Sequence, residues 1–203
     1  DPMNWIHTWK TLVQKIIDIF SQMRVSNSEE NNAVGVRLED IKRNPKITIP
    51  KIAQWIGISD HPTLYESSFC GLQYWGPSSK ATKKITGFDT KSVDQQLGKL
   101  FSPRDVMIFE TLFWPYSNLY GYADKDYDNF RSDLAKIRPW LNEPLEIERL
   151  LFSHLDNGNN SIEEIPQYRR LHLFLNRNWN ILNHAGTYPF MTPPLQLKSD
   201  ICR

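Results

Sequence analysis

The chain has 203 residues, 40% of them hydrophobic, with 24 Lys plus Arg against 23 Asp plus Glu and a formal net charge of +1. That length suffices for one large domain whose core needs no disulfide or structural metal. A balance so close to zero gives no electrostatic reason to expect nucleic acid as principal partner, and no run of about 18 apolar residues is present to make a membrane span. Cys70 and Cys202 stand far apart without a metal-ligand or redox spacing, so two free thiols are expected.

The opening Asp1-Pro2 has the form of an N-cap and first helical position. A start without Met is what a helix already under way in a larger protein would show, so the chain is read as a fragment. Trp5, Trp9, Leu12, Val13, Ile16, Ile17, Phe20 and Met23 recur at spacings of three and four, which predicts one long amphipathic helix. Trp5, Trp9, Leu12 and Ile16 are expected to face inward. A polar loop over Ser26 to Asn32 follows. Val34, Val36 and Leu38 then alternate with Gly35, Arg37 and Glu39, the period of a strand with one face buried; the first helix is expected to pack on it. After Asn44-Pro45, Ile49, Ile52, Ala53 and Ile56 predict a second helix, ended by Gly57. A strand feeding a helix implies an α/β class.

Between His61 and Leu100 no period is sustained, and a long irregular stretch of this kind is more often functional than filler. Ser102-Pro103-Arg104-Asp105 sets an N-cap, a proline at the first helical position and an acid in the first turn. Val106, Phe109, Leu112 and Phe113 supply the buried face, and Pro115 is expected to kink or break this helix. Beyond Gly121-Tyr122, helical patterns run over Tyr127 to Leu141, over Leu145 to Leu155 and around Leu171, Leu175 and Leu182, with a turn at Asp156-Asn157-Gly158. The tail after Gly186, with Pro189, Pro193 and Pro194, is expected to be irregular.

Catalytic spacings are few. The five histidines are scattered, and neither an HExxH pair nor a GxxxxGK[ST] loop occurs. Glu163 and Glu164 read as a helix start capped by Ser161, and each Trp reads first as a core residue. The stretch Ser67 to Lys84 is different, because hydroxyls, an aromatic and paired lysines meet outside any regular element. Hydroxyls and amides can donate to a phosphate, lysines neutralise it and an aromatic stacks on a base. A solvated surface loop has the same composition.

The ordered set of motifs in residues 1 to 122 resembles the nucleotide-dependent sulfotransferase family. Leu38-Glu39-Asp40, Lys42, Asn44-Pro45 and Ile56-Gly57 look like that family's strand ending in Tyr-Glu-Asp, its Pro-containing turn and its helix. Asp1-Pro2 with Thr8 is similar to its 3′-phosphate segment, Ser67-Ser68-Phe69 to the Thr-Ser-Phe near the adenine, and Trp75-Gly76-Pro77-Ser78, Lys83-Lys84 and Gly87-Phe88 to the basic loop over the 3′-phosphate. Leu38 departs from the usual Tyr, and Thr8 replaces Ser while keeping a hydroxyl. The resemblance implies the C-terminal part of a P-loop-type α/β fold, mostly helical in this chain with at least one strand, and a helical extension over residues 123 to 203. It implies 3′-phosphoadenosine 5′-phosphosulfate (PAPS) as cofactor, bound through Thr8, Ser67, Ser68, Phe69, Lys83, Lys84 and Gly87. The sulfuryl group would pass to a hydroxyl or amine of a sugar, lipid, peptide or small alcohol. The 5′-phosphosulfate loop and catalytic base are expected upstream, leaving the fragment inactive alone. The compartment implied is the cytoplasm, with the Golgi lumen as alternative. A non-catalytic nucleotide-binding module and a helical interaction module are the rival readings.

Overall fold

The computed structural model describes residues 2–22, 33–66, 68–69, 72–73, 87–88, 90, 93, 101–153 and 162–196. These residues are mostly helical. They fall into two compact units, one of residues 1–33 with 97–192 and one of residues 34–96 with 193–203. The expected join at residue 122 lies within the first unit.

In the first unit the opening pattern forms helix α1, Pro2–Gln22. Its buried line is Trp9, Val13, Ile17 and Phe20, one residue round from the Leu12–Ile16 line that the spacing suggested. Leu12 and Ile16 are half-buried, and the side chain of Trp5 lies outside the described residues. Helix α4, Pro103–Leu119, starts as expected: Ser102 Oγ accepts the Asp105 amide at 3.1 Å. It runs through Pro115 to Leu119 rather than breaking there. Proline leaves one carbonyl without its helical donor, but Leu112, Pro115 and Tyr116 are all buried, and their packing favours the helical path on both sides of the proline.

Helix α5, Tyr127–Ile137, passes into a 3₁₀ segment, Arg138–Asn142, so the expected helix to Leu141 tightens in its last turn. Helix α6 is Glu146–Phe152 and helix α7 is Pro166–Ala185, closed by Gly186 in the left-handed conformation at φ 71°. The Asp156–Gly158 turn and the Ser161 cap lie outside the described residues. The tail from Gly186 is irregular, as expected.

Aromatic side chains join these helices. Trp9 of α1 meets Phe152 of α6 edge-on with centroids 5.0 Å apart. Phe20 lies among Phe113, Tyr116, Phe174 and Tyr188. The apolar face of α1 is therefore packed against α4, α6 and α7. Trp9 is core, Trp114, Trp140 and Trp179 are partly buried, and Trp55 is 47% exposed, against the core reading for that residue.

In the second unit the expected strand is reduced to one bridge. Gly35 pairs in parallel with Pro194, donating to the Pro193 carbonyl and accepting from Leu195 N–H. At Leu38 the chain turns into helix α2, Leu38–Arg43. Glu39 and Asp40 in its first turn and Lys42 and Arg43 in its last suit the helix dipole, and alternation needs a sheet neighbour to be realised as a longer strand. Helix α3, Pro45–Ile56, ends as expected at Gly57 with φ 81°. Ile49 and Ala53 are buried while Ile56 is exposed. Thr48 is fully buried and ties α2 to α3, its hydroxyl 2.8 Å from the Asp40 carbonyl and 3.0 Å from that of Asn44. Two short strands, β1 (Ser68–Phe69) and β2 (Leu72–Gln73), pair antiparallel with Phe69 opposite Leu72.

Candidate functional site

Of the residues expected to hold the nucleotide, Thr8 lies in the first unit and Ser68, Phe69 and Gly87 in the second. Thr8 is exposed on α1. Ser68 and Phe69 form β1, and Gly87 is half-buried with φ 67°, a conformation that favours glycine. Ser67, Lys83 and Lys84 lie outside the described residues, as do Cys70 and Trp75.

The helix that carries Thr8 also borders a cationic groove in the first unit. His7, Lys10, Thr11, Gln14 and Lys15 on α1 face Pro166, Gln167 and Arg170 at the start of α7, around a volume of about 480 Å³. Among the described residues no carboxylate lines it. Gln14 is fixed between two charges, donating to Asp18 at 2.6 Å and accepting from Arg170 at 2.6 Å. The first turn of α7 has no side-chain cap and adds the positive end of a 20-residue helix. Such a surface can take phosphate or sulfate oxygens.

The densest buried polar cluster is one that sequence spacing did not single out. Asp105 is fully buried, and its two oxygens accept the Glu146 and Ile147 amides, each at 3.0 Å. Glu148, also fully buried, accepts the Leu145 amide at 2.9 Å. Two carboxylates thus satisfy the first donors of α6. His172 of α7 lies with Nε2 2.9 Å from Glu148 Oε2 and Nδ1 3.2 Å from the Leu141 carbonyl. The carbonyl of Leu141 also accepts from Asn176, whose Oδ1 takes Arg138 at 2.6 Å. Among the described residues Glu148 Oε1 is buried without a hydrogen-bond partner, while the other contacts of the network join α4, α6 and α7. The sequence signal was the acid at Asp105 in a first turn, but its acceptors' partners lie 41 and 42 residues away.

A second polar site lies at the loop between α4 and α5. Lys125 Nζ is 2.7 Å from Asp133 Oδ2, and Lys136 Nζ is 3.2 Å from Oδ1. Burial works against ionisation of Asp133, but hydrogen bonds and charge from the two lysines outweigh it and hold its pKa below the ordinary value. Trp114 stacks on Phe130 at 4.3 Å and donates its indole N–H to the Lys125 carbonyl at 3.0 Å.

No family model, no curated protein and no solved structure matches this chain.

Proposed function

We propose that the chain is part of a sulfotransferase that binds PAPS and passes its sulfuryl group to a hydroxyl or amine, with these residues serving the 3′-phosphate and adenine side. The observation that supports it most is the groove lined by Lys10, Lys15 and Arg170, with no carboxylate among its described lining residues, on the helix that also carries the exposed residue Thr8. The ordered resemblance of Leu38-Glu39-Asp40, Ser67-Ser68-Phe69 and Lys83-Lys84 to the family's motifs supports it further. In this reading Thr8 donates to a phosphate oxygen, the lysines neutralise its charge, Phe69 packs against the adenine, and Gly87 lets the backbone approach closely. Transfer would proceed in line, helped by positive groups at the bridging oxygen, much as in phosphoryl transfer.

A helical interaction module is the second reading, favoured by the mostly helical described residues and by α2 standing where the family has a strand end. Thermal unfolding with and without 3′-phosphoadenosine 5′-phosphate (PAP) separates the two. A ligand present at about 100 times its dissociation constant stabilises the folded state by about 2.7 kcal/mol. The nucleotide reading predicts a melting point that climbs with PAP concentration, and a melting point indifferent to millimolar PAP would leave the interaction module.

A further inference from the structure

The outer side of α3 carries none of the residues proposed to hold the nucleotide. The inner side of this helix is made by Thr48, Ile49 and Ala53, which are buried. Ile47, Lys51 and Trp55 stand at intervals of four and so follow one line along the helix. Ile47 is 56% exposed and Trp55 47%. Ile56, and Ile58 just beyond Gly57, are exposed at the same end as Trp55. A single exposed apolar residue needs no explanation, but these large ones gather between positions 47 and 58, as at an interaction surface.

The charge around these side chains has one sign. From Ile41 to Ser59 the chain carries Lys42, Arg43, Lys46 and Lys51 and no acid. Among the described residues neither Lys46 nor Lys51 is ion-paired. Cations beside outward Ile and Trp suit a partner that is anionic and apolar at once. Nucleic acid offers phosphate but little hydrocarbon for isoleucine, and a net charge of +1 gives no general attraction to it. A membrane bearing anionic lipid offers both, with headgroups for the ammonium ions and the acyl boundary beneath for isoleucine and indole. Helix α3 has 12 residues and a length of about 18 Å, too short to cross a hydrocarbon core of about 30 Å. We propose that α3 lies in the surface of an anionic membrane, with Ile47, Trp55, Ile56 and Ile58 in the acyl boundary and Lys46 and Lys51 on the headgroups.

Co-sedimentation of the full chain with vesicles tests this. The proposal predicts binding to phosphatidylcholine vesicles containing phosphatidylserine that exceeds binding to phosphatidylcholine alone by about tenfold or more, since each lysine at an anionic surface contributes about fivefold. The double variant Lys46→Gln, Lys51→Gln should lower binding to the anionic vesicles by about tenfold or more, and Ile47→Ser, Trp55→Ser should lower it by at least as much. The second variant keeps every cation, so it separates insertion of α3 from attraction of vesicles to the groove of Lys10, Lys15 and Arg170. None of the four positions is buried, so both variants should keep the helical circular dichroism of the unaltered chain. Vesicle binding that Ile47→Ser, Trp55→Ser leaves unchanged overturns the proposal. So does the lack of binding to anionic vesicles by a chain with intact helical circular dichroism. Loss in that same variant of self-association or of binding to an oligonucleotide, with vesicle binding unaffected, would assign the face to those partners and overturn it as well.

Discussion

Asp105 illustrates how one side chain can set the relation between distant segments. Its carboxylate takes two amides at the start of α6 from a position in the first turn of α4, so its removal leaves two buried donors without an acceptor. Hydrogen bonds to a charged group are worth about 1.5–3 kcal/mol each, and part of that is recovered by water or local shifts. Asp105→Ala should therefore cost about 2–4 kcal/mol in denaturant unfolding, with Asp105→Asn, which keeps one acceptor, costing less. Asp133 carries a pH dependence of definite sign. Its folded pKa is depressed from 3.8, so its stabilising contribution is complete above the unfolded value and is lost as pH falls through the lower folded one. The gap in urea midpoint between the protein and Asp133→Asn should be full at pH 6 and shrink below about pH 4. A gap that widened on acidification would contradict the assigned ion pairs. Of the residues expected at the nucleotide, the sequence made the types legible, because hydroxyls, lysines and glycine have a chemistry that can be named. It left Asp105, Glu148 and His172 unseen as a group, since their contacts join positions 24 to 42 residues apart.

At the scale of elements, local signals were read well where the decisive partner was local. The Ser102 cap and the left-handed ends at Gly57 and Gly186 are of that kind. The strand over Val34 to Leu38 was misread because a strand is completed by its neighbours: the segment pairs only at Gly35, and the charges of Glu39, Asp40, Lys42 and Arg43 then favour a helix. Pro115 was misread for a related reason, as tertiary packing carries α4 through it. For α1 the period was right and the phase was off by one residue. Ile17 is buried within the aromatic core whereas Ile16 is only partly buried. Ile17→Ala should cost about 2–5 kcal/mol, and Ile16→Ala distinctly less. Equal losses in chemical denaturation would restore the Leu12–Ile16 face as the core line.

Across the whole molecule, the chain places its main core in the unit of residues 1–33 and 97–192, built on α1, α4, α5, α6 and α7. The helices beyond residue 123 complete that core instead of standing apart from it: Leu134, Leu141, Leu171, Leu175 and Leu182 are among its most deeply buried side chains. Residues 34–96 form a unit with the tail through the Gly35–Pro194 bridge. Helix content, caps and core composition were legible in the sequence. The division into units was not, because it depends on which distant segments share contacts. The proposed reading rests on recognition of a 3′-phosphate. Calorimetric comparison of PAP with AMP, which lacks that phosphate, tests this most directly. The account predicts a preference for PAP above about tenfold, eroded by Thr8→Ala and by the double change Lys83→Ala, Lys84→Ala while AMP affinity stays nearly constant. Equal affinity of the unaltered protein for PAP and AMP would contradict it.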